Sequence, residues 1–224
     1  RLSAYQERLK AHYERHPEFV QPDYRRNELM SLLNEGLADI SVSRASDGWG
    51  IPMPGYEGQS VYVWFDALTA YLAATGFPEE TDTYQKFWPA DMHLVGKDIT
   101  RFHAIIWPAM LMSAGLPLPK TVFGHGWVLT GGGRMSKSMG NVMDPVATAE
   151  RFGADALRYF LLREVPLGRD LEFDHERFVA RYNADLANDL GNLLQRTVGM
   201  AIKYQNGVLG GPGDGDLTGL SNAA

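Results

Sequence analysis

Apolar side chains near the start of the chain fall at Leu2, Tyr5, Leu9 and Tyr13. Their spacing by three and four predicts a surface helix over residues 2–16 that stops ahead of Pro17. A second, shorter helix is expected over 27–36, then an extended stretch over 39–43 and a turn-rich run over 47–58. The pattern then changes to short apolar runs followed by helical spacing. Residues 61–65 read as a strand, with Asp66 capping a helix through Ala67, Leu68 and Tyr71 to Gly76. Residues 93–95 read as a second strand, with Asp98 opening a helix that holds Ile99, Phe102, His103 and Ile106, and 122–129 read as a third. Alternating strands and helices predict a parallel sheet in an α/β fold. Ligands of such sheets sit beyond the carboxyl ends of the strands, where Trp64, Ala67, Asp98 and His125 would gather. Farther on, Asp144-Pro145 starts a helix and Asp155 would cap another over 156–163. From Arg177 onward Phe178, Tyr182, Leu186, Leu190 and Leu194 repeat every four residues, predicting a long amphipathic helix whose other side carries Asn188, Asn192 and Arg196. Residues 207–224 are rich in Gly and Asp and read as a linker or flexible tail.

Composition narrows the chemistry. With 224 residues, 45% hydrophobic and 21% charged, the chain can bury a sizeable core and reads as one domain plus an appendage. A net charge of -6 argues against indiscriminate nucleic-acid binding, so any RNA contact has to run through a local patch. With no cysteine there is neither a disulfide nor a thiolate metal site, which fits a cytoplasmic protein. No apolar run approaches the ~18 residues of a membrane span and no signal peptide is visible, so no membrane partner is expected. The chain starts at Arg1 and directly enters an amphipathic pattern, and a fragment of a longer protein is expected. His12 and His16 lie one turn apart, but a zinc site needs a third ligand and none is near in sequence. They read as a solvated face, and no metal site is expected.

The stretch Gly131-Gly132-Gly133-Arg134-Met135-Ser136-Lys137-Ser138-Met139-Gly140-Asn141 sets two cations and two hydroxyls on a glycine-hinged loop. Such a loop can close over a polyphosphate and meet charge that develops as a phosphate leaves. It is not a Walker loop, because Ser136 stands where that motif has glycine before its lysine. A run of Gly, Ser and Lys is more often a solvated linker, yet a strand-like lead-in and the helix start at Asp144 argue for an ordered functional loop.

From Trp49 to Thr197 a set of ordered words resembles the bacterial methionyl-tRNA synthetases, a family of class I aminoacyl-tRNA synthetases. The words are Trp49-Gly50-Ile51-Pro52, Tyr62-Val63-Trp64-Phe65-Asp66-Ala67, Gly96-Lys97-Asp98-Ile99, Phe102-His103-Ala104-Ile105-Ile106-Trp107-Pro108-Ala109, His125-Gly126-Trp127, Arg134-Met135-Ser136-Lys137-Ser138 and Asp185-Leu186-Ala187-Asn188-Asp189-Leu190-Gly191-Asn192-Leu193. The loop word occurs in some form throughout class I; the ordered set is highly specific. The resemblance implies the second half of a Rossmann-like parallel nucleotide-binding fold over 1–143, including the loop, and an α-helical connector over 144–176. It further implies the first helix of a helical anticodon-binding domain over 177–206 and a tail over 207–224. The activity implied is activation of L-methionine with ATP, bringing Mg²⁺ with it, and transfer to tRNA(Met).

Roles follow by resemblance, each beside a plainer reading. Trp64, Ala67, Leu68 and Tyr71 look like one wall of a methionine pocket and Ile99 and His103 another; a thioether suits aromatic surfaces with one polar tip, though aromatics at helical spacing are also ordinary core. Leu68 departs from members that carry proline. Asp98 resembles the acceptor for the ATP ribose hydroxyls, or serves as an N-cap. Gly96, His125, Gly126 and Val128 belong to the ATP side, where small residues let the base approach the backbone. Arg44 resembles an active-site arginine, and reads equally as a surface ion-pair residue. Lys137 would stabilise the charge passing to pyrophosphate, with Arg134, Ser136 and Ser138 around it; Arg134 replaces the family's lysine with a planar cation. Asn192 and Arg196 resemble anticodon-reading residues, or a solvated helix face.

Two family features are missing from the sequence: a His-x-Gly-His motif and the cysteine-bearing zinc insertion, so zinc is not expected here. The chain alone is therefore expected not to aminoacylate tRNA. Competing readings are a class I synthetase for leucine, isoleucine, valine or cysteine, which the Trp64, Tyr71 and His103 set disfavours, and a non-catalytic tRNA-binding or interaction module, which retention of Asp98 and Lys137 disfavours.

Overall fold

The computed structural model describes residues 1–79, 81–135 and 142–207, with Arg134 described by its backbone alone. They form two compact units, one of Arg1–Leu129 with Glu164–Leu171 and another from Thr130–Arg163 with the chain from Glu172 onward.

In the first unit a 3₁₀ turn leads into helix α1 (Gln6–Arg15). Leu9 and Tyr13 are fully buried there, so the expected apolar stripe is the inward face of α1 and the helix belongs to the core. The Tyr13 hydroxyl donates to the buried Ala104 carbonyl at 2.7 Å, and burial pushes its pKa up. Strand β1 (Val20–Gln21) and helix α2 (Asp23–Glu35) follow. The second helix starts four residues earlier than its apolar pattern suggests, because Pro22 fixes an extended entry and Asp23 favours the first turn.

Strands β2 (Ser43–Ala45) and β3 (Gln59–Val61) pair antiparallel, Arg44 opposite Ser60. Helix α3 (Val63–Ala73) corrects the expected strand over 61–65. The chain is extended only to Tyr62, whose carbonyl already accepts from Phe65 N–H at 2.8 Å. Helical winding is what drives Leu68 and Leu72 together into the core, overriding the strand propensity of Val63, Trp64 and Phe65. Asp66 sits in the first turn, where its charge suits the helix dipole, and it is not the cap.

After α4 (Asp82–Phe87), β4 (Met92–Gly96) alternates exposed and buried positions, with His93 and Val95 inward. Its end runs through a 3₁₀ turn (Lys97–Ile99) and a π-helical turn (Phe102–Ile106) into α5 (Trp107–Ala114), closed by Gly115 in the left-handed conformation. Strand β5 (Thr121–His125) stops at Gly126, and β6 (Val128–Thr130) resumes; the expected single strand over 122–129 is two. Strands β1, β5 and β4 form a parallel sheet in that order, with Val20 beside Val122 and Gly96 beside His125. This is the parallel α/β arrangement that the alternation of elements predicts.

The second unit holds β7 (Gly133–Arg134), α6 (Pro145–Phe152) and α7 (Ala154–Arg163). Asp144 caps α6 as expected, its carboxylate accepting from Val146 N at 2.8 Å and Ala147 N at 3.3 Å. Asp155 falls in the first turn of α7 and not before it, since Gly153 with φ 91° already turns the chain. Past β8 (Leu171–Glu172), α8 (His175–Arg181) is capped by Asp174, and the helical run continues through a π-helical segment (Tyr182–Leu190) into α9 (Gly191–Gln205). Phe152, Phe160, Phe173 and Phe178 make its aromatic core, Phe160 and Phe178 centred 5.2 Å apart. Among the described residues no helix is long and apolar enough to cross a membrane.

Candidate functional site

Three elements of the first unit bring the expected methionine-side residues together. Trp64, on the first turn of α3, stacks on Phe102 with ring centres 3.9 Å apart, and lies edge-on to His103 at 6.0 Å. One helical repeat along, the Tyr71 hydroxyl meets His103 Nε2 at 2.7 Å. His103 Nδ1 lies 3.0 Å from the Ile99 carbonyl, which can only accept, so Nδ1 carries the proton and Nε2 accepts from Tyr71. Burial lowers the His103 pKa, opposed by that carbonyl, and burial raises the Tyr71 pKa. The pair is thus held neutral and oriented. Ala67 is exposed on the same helix, Tyr71 is 36% exposed, and Ile99 is half-buried. Leu68 is different: it is fully buried in the core one step around the helix and offers no surface.

Behind this group stand residues that the sequence did not single out. Trp107 Nε1 donates to His93 Nε2 at 3.2 Å, and the Tyr71 ring lies 4.3 Å from the His93 ring. Burial, with a contribution from His103, pushes the His93 pKa down to about 4, so His93 is a neutral acceptor at ordinary pH. For His93 the local signal is alternation in β4, which turns it inward, whereas Trp107 stands in the family word Phe102–Ala109 without a site role attached to it.

At the carboxyl ends of β4 and β5 the structure gathers the expected ATP-side residues. Gly96 and His125 are register partners. The Asp98 carboxylate leans over Gly96 so closely that a Cβ there would meet Oδ1 at 2.8 Å. His125 is exposed and donates from Nδ1 to the Gly126 carbonyl at 2.7 Å, whereas Gly126 is buried. A Cβ on Gly126 would lie 2.0 Å from the Arg169 carbonyl oxygen, so only glycine fits that crossing. Val128 is half-buried at the start of β6. Lys97 Nζ reaches both Asp170 oxygens at 2.7 Å and lies 4.0 Å over the Trp127 ring, while Trp127 N–H donates to Asp170 at 3.0 Å. The Lys97 hydrogen bond, chiefly, draws the Asp170 pKa down. Asp170 lies 73 residues from Lys97, too far for any sequence spacing to link them. A cleft lined by Arg25, Glu28, Lys97, Asp98, Arg101 and Trp127 opens here.

Arg44 packs against Tyr62 and the nearby backbone. Its guanidinium lies 3.7 Å over the Tyr62 ring and donates to the carbonyls of Ser41 and Ser43 at 3.0 and 2.8 Å. It borders a second cleft with Trp49, Tyr62 and Asp66.

In the second unit Gly131 and Gly132 have φ of 62° and 75°, the left-handed hinge that the glycine run predicts, and Gly132 N–H donates to Glu172 at 2.9 Å. Ser136, Lys137 and Ser138 lie outside the described residues, as does the side chain of Arg134. Asn192 and Arg196 are both exposed on α9, so the structure leaves them in solvent.

Comparison with known proteins gives one answer. Residues 1–198 match the family described as tRNA synthetases class I (M). The methionine–tRNA ligase of Caldanaerobacter subterraneus subsp. tengcongensis is 57% identical over 213 residues, covering 95% of this chain and 33% of that protein. That of Brucella suis biovar 1 is 55% identical over 213 residues, covering 95% and 41%. The solved Mycobacterium tuberculosis methionyl-tRNA synthetase in complex with methionyl-adenylate superposes with a TM-score of 0.85 at 50% identity, covering 100% of this chain and 45% of that one. The chain thus spans between a third and a half of the length of these relatives. With a family match over most of its length and a fold shared with a solved member, the chain belongs to the class I (M) tRNA synthetases.

Proposed function

We propose that this chain is part of a methionine–tRNA ligase, in which it contributes to activating L-methionine with ATP and transferring it to tRNA(Met). The observation that carries the proposal is the neutral Tyr71–His103 pair beside the Trp64 ring, an apolar aromatic surface with one fixed polar tip. Such a surface suits a polarizable thioether better than a branched aliphatic side chain. Trp64, Ala67, Tyr71, Ile99 and His103 line the methionine side in this reading, and Leu68 supports α3 from within the core. Asp98 binds the ATP ribose, and Gly96, His125, Gly126 and Val128 border the nucleotide where two strands end side by side. Any Mg²⁺ arrives with the ATP.

The chemistry asks for position and charge, not for a nucleophilic side chain. The methionine carboxylate attacks the α-phosphate, pyrophosphate leaves, and Lys137, with Arg134, Ser136 and Ser138, stabilises the charge that passes to it. Residues 1–143 supply the catalytic part in this reading, 144–176 a connector, and 177–206 the helix whose Asn192 and Arg196 bond to unstacked anticodon bases. Because the sequence contains no His-x-Gly-His motif, the 224-residue chain alone is expected not to charge tRNA.

The test is Lys137→Ala in the full-length enzyme. Single-turnover adenylate formation should fall more than ~tenfold with methionine affinity nearly unchanged, because the contact is made only in the transition state. An unchanged rate refutes the role of Lys137.

A further inference from the structure

The helical run from His175 to Gln205 is not uniform: nine residues, Tyr182–Leu190, are wound as a π-helix between two α-helical parts. Long π-helical stretches are rare, since an isolated π turn is the usual form, and they mark functional positions. The Gly191 N–H closes the segment by reaching back to the Leu186 carbonyl.

Near the start of the segment sits Asp185, its side chain only 14% exposed. The Tyr159 hydroxyl donates to Asp185 Oδ2 at 2.9 Å, and Arg163 Nε and Arg181 Nη1 approach the same oxygen at 3.8 and 3.6 Å. Tyr159 and Arg163 belong to α7, so this one carboxylate clamps the run to its neighbour at a defined rotation.

Asn192 and Arg196 lie seven and eleven places beyond Asp185. At ~100° per residue, an unbroken α-helix would return both to within roughly 20° of the clamped face, toward α7. Each π turn holds an extra residue, so between Asp185 and Leu190 the helix falls behind by roughly a quarter turn. That lag moves Asn192 and Arg196 off the clamped face, and both are exposed.

We propose that Asp185 is a positioning residue for tRNA recognition: by clamping the π-helical segment to α7 it sets the rotation at which Asn192 and Arg196 meet the anticodon. This rests on the anticodon reading of those two residues given above. Asp185 itself touches neither methionine nor ATP in this scheme.

The experiment uses the full-length enzyme and two readouts: KM for tRNA in aminoacylation, and methionine-dependent ATP–pyrophosphate exchange without tRNA. Asp185→Ala should raise the tRNA KM about tenfold and leave exchange within about twofold. Asp185→Asn, which keeps an acceptor for Tyr159 but drops the charge facing two arginines, should raise it about threefold. Deletion of Ala187, which removes the extra residue of one π turn, should be at least as harmful to the tRNA KM as Asp185→Ala. Asn192→Ala is the control on the underlying reading. If Asn192→Ala raises the tRNA KM while the Asp185 variants and the deletion do not, the positioning role is overturned and the anticodon reading stands. If Asn192→Ala has no effect, both fall. A parallel loss of exchange and charging in Asp185→Ala and Asp185→Asn would identify a purely structural carboxylate and overturn the proposal.

Discussion

Around His103 the polar groups of the first unit are buried or partly buried and bonded to one another; along Gly191–Gln205 those of the second are exposed, and so are Leu193, Leu194 and Val198 between them. In the first case each donor fixes the next: Trp107 to His93, Tyr71 to His103, His103 to the Ile99 carbonyl. In the second, the helical run meets α7 at Phe178 near its start and at Asp185, which Tyr159 and two arginines approach, and beyond that its side chains face outward. Burial makes a site rigid before any ligand arrives, whereas an exposed helix takes its rigidity from whatever it packs on.

The two regions should answer differently to mutation. Trp107 is 1% exposed, and Trp107→Ala both opens a large hole and strips His93 Nε2 of its donor, so a loss of about 3–5 kcal/mol is expected in urea unfolding of the chain. All five tryptophans lie in the first unit, so the remaining four report on it alone. A loss below ~1 kcal/mol would mean that the aromatic group is loosely packed and no more rigid than the exposed helix.

Acid should come next in effect. His93 and His12 have folded pKa values pushed down to about 4, while the unfolded chain titrates near 6.5. Between these values the unfolded state binds more protons, so their contribution is complete above pH 6.5 and is lost as pH falls toward 4. For His93 the loss is on the order of 3 kcal/mol. Tryptophan-monitored stability should drop over that window, and a flat profile would refute the buried neutral state.

Smallest should be Leu193→Gln, at a side chain 64% exposed, with a change within about 0.5 kcal/mol in urea unfolding followed by far-ultraviolet circular dichroism, which reads the helices of the second unit too. A larger loss would show that α9 is covered in solution, and the contrast between the regions would shrink.

What could be read from the sequence follows the range of the forces involved. The cap at Asp144 and the parallel α/β order were legible because capping and alternation are local. The start of α3 was not, since burial of Leu68 and Leu72 decides it against the propensities of Val63 and Trp64. The four-residue apolar repeat after Arg177 predicted a helix correctly, but of its members only Phe178 is buried in this chain. Trp64, Tyr71 and His103 were visible because a family pattern holds them, whereas the Lys97–Asp170 pair joins segments with no shared pattern.

The first unit is not continuous along the chain. Residues 164–171 return to it after an excursion of more than thirty residues, and their arrival places the Arg169 carbonyl against Gly126, Asp170 on Lys97 and Trp127, and the Leu171 N–H on the Trp127 carbonyl. Domains ordinarily fold as units while the ribosome is still adding residues. Here the strand-end half of the proposed nucleotide site has to wait: its last contacts form only once synthesis has passed Leu171, with much of the following unit already made.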